Sequence, residues 1–159
     1  MASELTDVTD CSPLASELTD VTDFLFHGTF LFEVMLLYEE LSNKILEAYF
    51  NVFKHLTTGL LESVYENALC IELDEMGIPY ERQKRLSIFY KGRNVGDFIP
   101  DIIVDNKIIL ELKSIPILTT ANTAQIINYL NITQFKVGYL LNFGEGRDYK
   151  RILNKKSPF

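Results

Sequence analysis

The sequence predicts an α/β fold in which helices flank a mixed central β-sheet. Apolar residues recur at helical spacing over residues 38–76, and short β-branched runs follow over residues 80–115. A further helical segment then precedes a wholly apolar run of the kind found in buried strands. At 159 residues the chain is long enough for one domain with a real core.

Glycine, proline and polar turn residues indicate where the individual elements begin and end. The second helix, for example, is expected to stop at Gly77, with Pro79 beyond it. We expect helices over residues 38–56, 60–76 and 120–130, and strands near residues 80–90, 95–104, 108–115, 136–143 and 149–153.

Residues 97–113 are the most informative segment, because two β-branched runs flank a turn signal at Asp105-Asn106. A two-residue loop would put Asp101 and Glu111 on opposite faces of the resulting hairpin. A three-residue loop, residues 105–107, would pair them, with a left-handed residue expected at the loop's end. The second register leaves a clean core face, so we favour it. That face holds Phe98, Pro100, Ile102, Val104, Ile108, Leu110 and Leu112.

In this register Asp101 and Glu111 are cross-strand neighbours, and Lys113 shares their face. Two carboxylates about 4 Å apart repel by about 4 kcal/mol at an effective dielectric of about 20. A bound Mg²⁺ or Mn²⁺ would make the pairing of the two carboxylates favourable, because both ions favour oxygen ligands. The alternative is an exposed hairpin on which Lys113 bridges two surface carboxylates, and these three residues alone do not decide between the two readings.

The order Pro100-Asp101, then Glu111-Leu112-Lys113 about ten residues on, resembles the core of the PD-(D/E)XK nuclease superfamily. Residues 59–65 (GLLESVY) resemble the signature of the GxxExxY family, a branch of that superfamily. Residues 125–129 (QIINY) resemble the QxxxY motif of its RecB-type members. The resemblance covers residues 35–153 and implies a restriction-endonuclease-like core with a mixed central β-sheet flanked by helices.

The resemblance also implies metal-dependent hydrolysis of phosphodiesters in nucleic acid, with DNA the favoured substrate and Mg²⁺ or Mn²⁺ the cofactor. Carried over by position, Asp101 and Glu111 are metal ligands. Lys113 then positions or activates the attacking water and offsets charge on the phosphate. The rival interpretation is a non-catalytic module that keeps the fold and binds nucleic acid or another partner.

The resemblance implies further roles around that centre. The Leu112 carbonyl and Glu62 would be additional metal ligands, although Glu62 also suits the start of a helix for electrostatic reasons alone. Gln125 would orient the lysine, the water or a phosphate, or else be an ordinary polar helix residue. Tyr65 and Tyr129 would be supporting residues.

The net charge of −7 is unevenly distributed. Residues 1–34 hold seven acids and no Lys or Arg, so the remaining fifteen acids balance fifteen bases. Four of those acids are expected to cluster where a metal would neutralise them, namely Glu62, Asp97, Asp101 and Glu111. Five bases are candidate phosphate contacts, or else solvated strand edges, namely Arg82, Lys84, Arg85, Lys91 and Arg93.

Residues 2–10 are repeated without change at residues 15–23. We therefore expect an acidic extension over residues 1–34, disordered in part and dispensable, and a nuclease-like domain over residues 35–159. Distant cysteines and the lack of a basic N-terminal region predict a cytoplasmic protein. The expected partner is nucleic acid and not a membrane. Assembly as a homodimer is left open.

Overall fold

A computed structural model describes residues 37–154, so the predicted extension over residues 1–34 lies outside the described residues. The helices are α1 (Glu39–His55), α2 (Glu62–Glu75) and α3 (Thr120–Thr133). The strands are β1 (Tyr80–Arg82), β2 (Leu86–Tyr90), β3 (Arg93–Phe98), β4 (Ile102–Val104), β5 (Ile108–Lys113), β6 (Val137–Asn142) and β7 (Tyr149–Leu153). In chain order α3 falls between β5 and β6.

The central sheet has five strands in the order β1-β4-β5-β6-β7. Strands β5 and β6 are parallel, and every other neighbouring pair in this sheet is antiparallel. A parallel pair needs a crossover connection, which α3 supplies. The predicted mixed sheet flanked by helices is confirmed.

Helices cover both faces of the central sheet. On one face, Tyr49 of α1 packs edge-on against Tyr149 of β7, with ring centroids 6.1 Å apart. On the other face, α3 approaches β6 closely at Gly138, where an added Cβ would lie 2.9 Å from Ile126 Cδ1. The sheet is therefore a middle layer, and its central strands are buried on both sides.

The hairpin of β4 and β5 has the register that the sequence predicts, with Val104 opposite Ile108. The expectation of one left-handed residue at the loop's end was wrong. Asp105 and Asn106, the first two loop residues, both have φ of 49°. Short polar side chains tolerate this conformation, and it gives a tight turn closed by a 2.9 Å bond from the Lys107 N–H to the Val104 carbonyl.

Two predicted strands were wrong, because each divides between two sheets. The strand expected over residues 80–90 breaks at Gln83, which has φ of 46°. The strand expected over residues 95–104 breaks at residues 99–101, where Pro100 lacks an N–H for the ladder. Strands β2 and β3 pair only with each other and form a separate two-stranded hairpin.

The expected division into a core face and a charged face was also wrong. Ile103 and Ile109 lie on the same face as Glu111, yet they are buried in an apolar cluster with Phe98 and Leu130. The hairpin of β2 and β3 and helix α3 close over that part of the sheet. The charged side chains of β5 on this face, Glu111 and Lys113, lie at the C-terminal end of the strand.

Within residues 37–154, no helix combines the length and apolar character that crossing a bilayer would need.

Candidate active site

Glu111 is the centre of the candidate site. It is 4% exposed, on the face of β5 that α3 covers. Its Oε1 accepts two hydrogen bonds, one from Lys113 Nζ and one from Gln125 Nε2, each 2.8 Å long. Two residues along a strand share a face, so Lys113 reaches Glu111 from its own strand. A buried carboxylate is thus held by a cation and an amide.

Asp101 joins the same end of β5. Continuing the hairpin register by one residue beyond Ile102 places it opposite Glu111. Its Oδ2 accepts a 2.6 Å hydrogen bond from the Leu112 N–H, and its backbone carbonyl accepts a 2.9 Å bond from the Gln83 N–H. These bonds fix Asp101 in the break between β3 and β4, at the end of the charged strand face.

Gln125 reaches the site from α3, which begins with a capping box at Thr119. Its Nε2 lies 2.6 Å from the Tyr129 hydroxyl, one turn further along the helix. The Tyr129 ring stacks on Phe98, with centroids 3.4 Å apart. The structure therefore brings Gln125 and Tyr129 together and directs the amide at Glu111.

Glu62 is the first residue of α2 and lies at the edge of the site. It is exposed, and its Oε1 accepts a 3.2 Å hydrogen bond from the Ser114 N–H, just beyond β5. Tyr65 is buried and contacts the turn before α2. Its hydroxyl donates to the Thr57 carbonyl at 2.7 Å and accepts from the Leu60 N–H at 3.1 Å. Tyr65 thus anchors the start of the helix that carries Glu62.

Glu66 is a further acid near the site that the sequence analysis did not predict, and its charge raises the pKa of Asp101. It is 6% exposed and accepts hydrogen bonds from Arg82 Nε at 2.8 Å and Gln83 Nε2 at 3.3 Å. Its position four residues after Glu62, on the same helix face, was the signal that could have found it.

Asp97 was wrongly expected in the acidic cluster. It lies in β3 and accepts hydrogen bonds from Ser87, Asn94 and Arg85 of the outer hairpin. The predicted strand over residues 95–104 breaks before β4. Asp97 precedes that break, so it belongs to the two-stranded hairpin and not to the central sheet.

Burial and mutual repulsion shift the pKa values of the clustered groups. Burial raises the pKa of Asp101, and the charges of Glu66 and Glu62 raise it further, against the Leu112 N–H. Burial also raises the pKa of Glu111, followed by the charge of Asp101. Negative charge here is incompletely compensated, which favours a bound cation.

The pKa of Lys113 depends on two opposing effects. Burial acts to lower the pKa of its ammonium group, but the hydrogen bond to Glu111 and the neighbouring carboxylates outweigh it, so the pKa is raised. These neighbours therefore favour the protonated form of Lys113.

The donor chemistry of the site suits a divalent ion. Among the described residues, no hydrogen bond reaches Asp101 Oδ1 or Glu111 Oε2, so each carboxylate offers one oxygen. Over residues 37–154, no group of three or more His, Cys, Asp or Glu side chains could hold a metal by itself. Mg²⁺ commonly binds through one or two carboxylates and keeps several waters, so two carboxylates meet its needs.

Three of the five candidate phosphate contacts already have acidic partners. Arg82 pairs with Glu66, Lys84 with Glu81 at 2.8 Å, and Arg85 with Asp97 at 2.9 Å. The other two, Lys91 and Arg93, lie at the exposed end of the hairpin of β2 and β3.

Comparisons with known proteins identify the family of this chain. Curated proteins gave no match. The crystal structure of SSO0001 is 16% identical, with a TM-score of 0.46, over 58% of this chain and 49% of that one. The chain thus spans about half the length of that structure. A family model described as the PD-(D/E)XK nuclease superfamily matches residues 39–152, and by this match the chain belongs to that superfamily.

Proposed function

We propose that this protein is a divalent-metal-dependent nuclease that hydrolyses phosphodiester bonds, with DNA the favoured substrate. One observation carries the proposal: in a chain of the nuclease superfamily, Lys113 and Gln125 both bond to the buried Glu111, beside Asp101. Nucleases of this superfamily generally use divalent metals.

Asp101 and Glu111 would hold the ion, with the Leu112 carbonyl as a further ligand and with Glu62 reaching the ion through water. Magnesium and manganese are the expected ions, because the donors are all oxygens. When bound, such an ion supplies positive charge toward the phosphate and lowers the pKa of a bound water.

Lys113 would act as a cation in the site. Its hydrogen bond to Glu111 and the neighbouring carboxylates raise its pKa, which favours the protonated form. A protonated Nζ beside Glu111 can orient a water and offset the charge that develops on the phosphate. Gln125, bonded to both Glu111 and Tyr129, would keep the carboxylate oriented.

The finer family assignments belong to the same proposal. The anchoring of α2 by Tyr65, together with the Glu62 contact to the Ser114 N–H, supports the GxxExxY assignment. The bond between Gln125 and Tyr129 supports the QxxxY assignment.

The test is cleavage of labelled single-stranded and duplex DNA and RNA in Mg²⁺, Mn²⁺ or EDTA. The parent protein should cleave DNA only with metal, and Lys113→Ala should bind metal but lose turnover. Lys44→Ala is the matched control, because Lys44 is an exposed lysine of α1 that pairs with Glu40 outside the site. Metal-dependent cleavage that persists in Lys113→Ala would reject the assigned role. Binding without any cleavage would favour the non-catalytic module instead.

A further inference from the structure

The hairpin of β2 and β3 exposes aromatic and basic side chains together. Lys91 and Arg93 lie near its turn, and its one acid, Asp97, pairs with Arg85. At its outer end Phe89, Tyr90 and Val95 are 66%, 64% and 60% exposed. Large apolar groups that are exposed together, with polar and charged side chains around them, are typical of an interaction surface.

The hairpin holds these side chains outward by its own geometry. Its inner residues Leu86 and Ile88 pack on the apolar cluster under α3. The pairing register shifts by one residue between Ile88 and Phe89, which leaves Val95 of β3 opposite no residue of β2. The turn at Lys91-Gly92, with φ of 48° and 76°, closes the two strands tightly. The exposed rings are thus fixed on an ordered two-stranded ribbon.

The base of this hairpin adjoins the candidate active site at both ends. After β3, Phe98 stacks on Tyr129, whose hydroxyl accepts from Gln125. Before β2, the Gln83 N–H donates to the Asp101 carbonyl. A chain that lies along the hairpin would therefore lead directly to the carboxylates.

We propose that this hairpin binds an unpaired, single-stranded segment of nucleic acid next to the cleaved bond. This inference rests on the proposed function and specifies its substrate. Phe89 and Tyr90 would stack on bases, while Lys91 and Arg93 contact phosphates. Lys91 already lies over the Tyr90 ring, with Nζ 5.5 Å from the centroid. This cation–π contact keeps the charge and the ring side by side on the surface.

The rings favour an unpaired segment over a duplex. In a duplex the base faces are stacked on one another, and a protein reaches mainly phosphates and groove edges. Basic side chains alone would serve that purpose. Exposed rings gain stacking energy only from bases that are unstacked, as in single strands, loops and frayed ends.

The test is fluorescence anisotropy with a labelled 30-nucleotide DNA strand and the 30-base-pair duplex of the same sequence, in EDTA so that metal-dependent cleavage does not occur. The full-length double variant Phe89→Ala/Tyr90→Ala should bind the single strand about 5-fold to 100-fold more weakly, since stacking is lost. Duplex binding should change less than about twofold. Ile71→Ala is the matched control, because Ile71 of α2 is 58% exposed and lies outside the hairpin.

A conservative change and a folding check complete the design. Phe89→Trp/Tyr90→Trp should bind single strands at least as tightly as the parent, and all variants should melt within a few degrees of it. The proposal is overturned if the alanine variant binds single strands like the parent. It is equally overturned if single-strand and duplex binding fall together, or if the parent binds only duplex. Cleavage in Mn²⁺, measured separately, shows whether the proposed nuclease function fails independently.

Discussion

Gln125 on α3 donates a hydrogen bond to Glu111 on β5, and 2.8 Å separate its Nε2 from Glu111 Oε1. The same oxygen accepts the bond from Lys113. Side chains from helix α3 and from strand β5 thus meet at one buried carboxylate. The orientation of Glu111 depends on α3 as well as on its own strand.

Gln125→Glu replaces this donor with a second carboxylate of almost the same shape. We expect the metal-free protein to lose about 1–3 kcal/mol of unfolding free energy, because Glu111 loses a hydrogen bond and gains a like charge. Urea unfolding in EDTA measures the loss, and added Mn²⁺ should recover part of it. Asn128→Glu adds the same charge at an exposed position of the helix and should change stability by less than about 0.5 kcal/mol. Equal stability of the two variants would show that the bond to Glu111 is unimportant.

Asp101→Asn removes one charge from the cluster but keeps an oxygen that can accept from the Leu112 N–H. Because burial and neighbouring acids raise the pKa of Asp101, its charge opposes folding when no metal is present. We expect the variant to gain about 1 kcal/mol in EDTA, as a share of the Coulomb repulsion, and to lose its response to Mg²⁺. Thermal melts with and without Mg²⁺ check both effects.

Asp97→Asn is the matched control for Asp101→Asn. Hydrogen bonds from Ser87 and Asn94 lower the pKa of Asp97, so its charge favours folding and its removal should not stabilise the protein. A stabilisation by Asp97→Asn equal to that of Asp101→Asn would mean that net charge, and not the site, is responsible.

The register of the β4–β5 hairpin was predictable because side chains alternate along a strand. Only the loop of three residues puts Asp101 on the same face as Glu111 and keeps the apolar residues of both strands together on the other face, and a slip of one residue would separate them. The same logic gave the helices to within a few residues, since their apolar spacing is regular. The local sequence pattern was sufficient wherever a feature depended on one helix or one hairpin alone.

The separate hairpin and the partners of Glu66 were not predictable in this way. The breaks at Gln83 and Pro100 divide continuous β-type runs, and only the packing of Leu86 and Ile88 under α3 makes a second sheet favourable. Arg82 and Gln83 are brought to Glu66 from a different element. Such partnerships are properties of the fold, not of any short segment.

Gly144 is a position where the backbone leaves no room for a side chain. A Cβ there would lie 1.8 Å from the Ile115 carbonyl oxygen, in the loop that follows Lys113. Gly144→Ala must therefore displace that loop, and we expect a loss of about 3 kcal/mol or more in unfolding free energy, as for strong overpacking. Gly96→Ala is the control, because its Cβ would meet nothing within 4 Å, and it should stay within about 0.5 kcal/mol of the parent. Urea unfolding of both variants decides, and similar stabilities would contradict the close approach.

The pH dependence of stability should change sign with metal. The pKa of Glu111 is raised from its ordinary 4.5 by burial and then by Asp101, so the folded state binds this proton more tightly than the unfolded state does. In EDTA its contribution is therefore fully present below about pH 4.5 and is lost as the pH rises through the raised pKa. A metal needs the ionised carboxylate, so in Mg²⁺ stability should instead increase over the same range. Urea unfolding at half-unit steps from pH 4 to 8, with Glu111→Gln as the reference, isolates this group. Parallel curves for parent and variant in EDTA would show that Glu111 titrates as an ordinary carboxyl group.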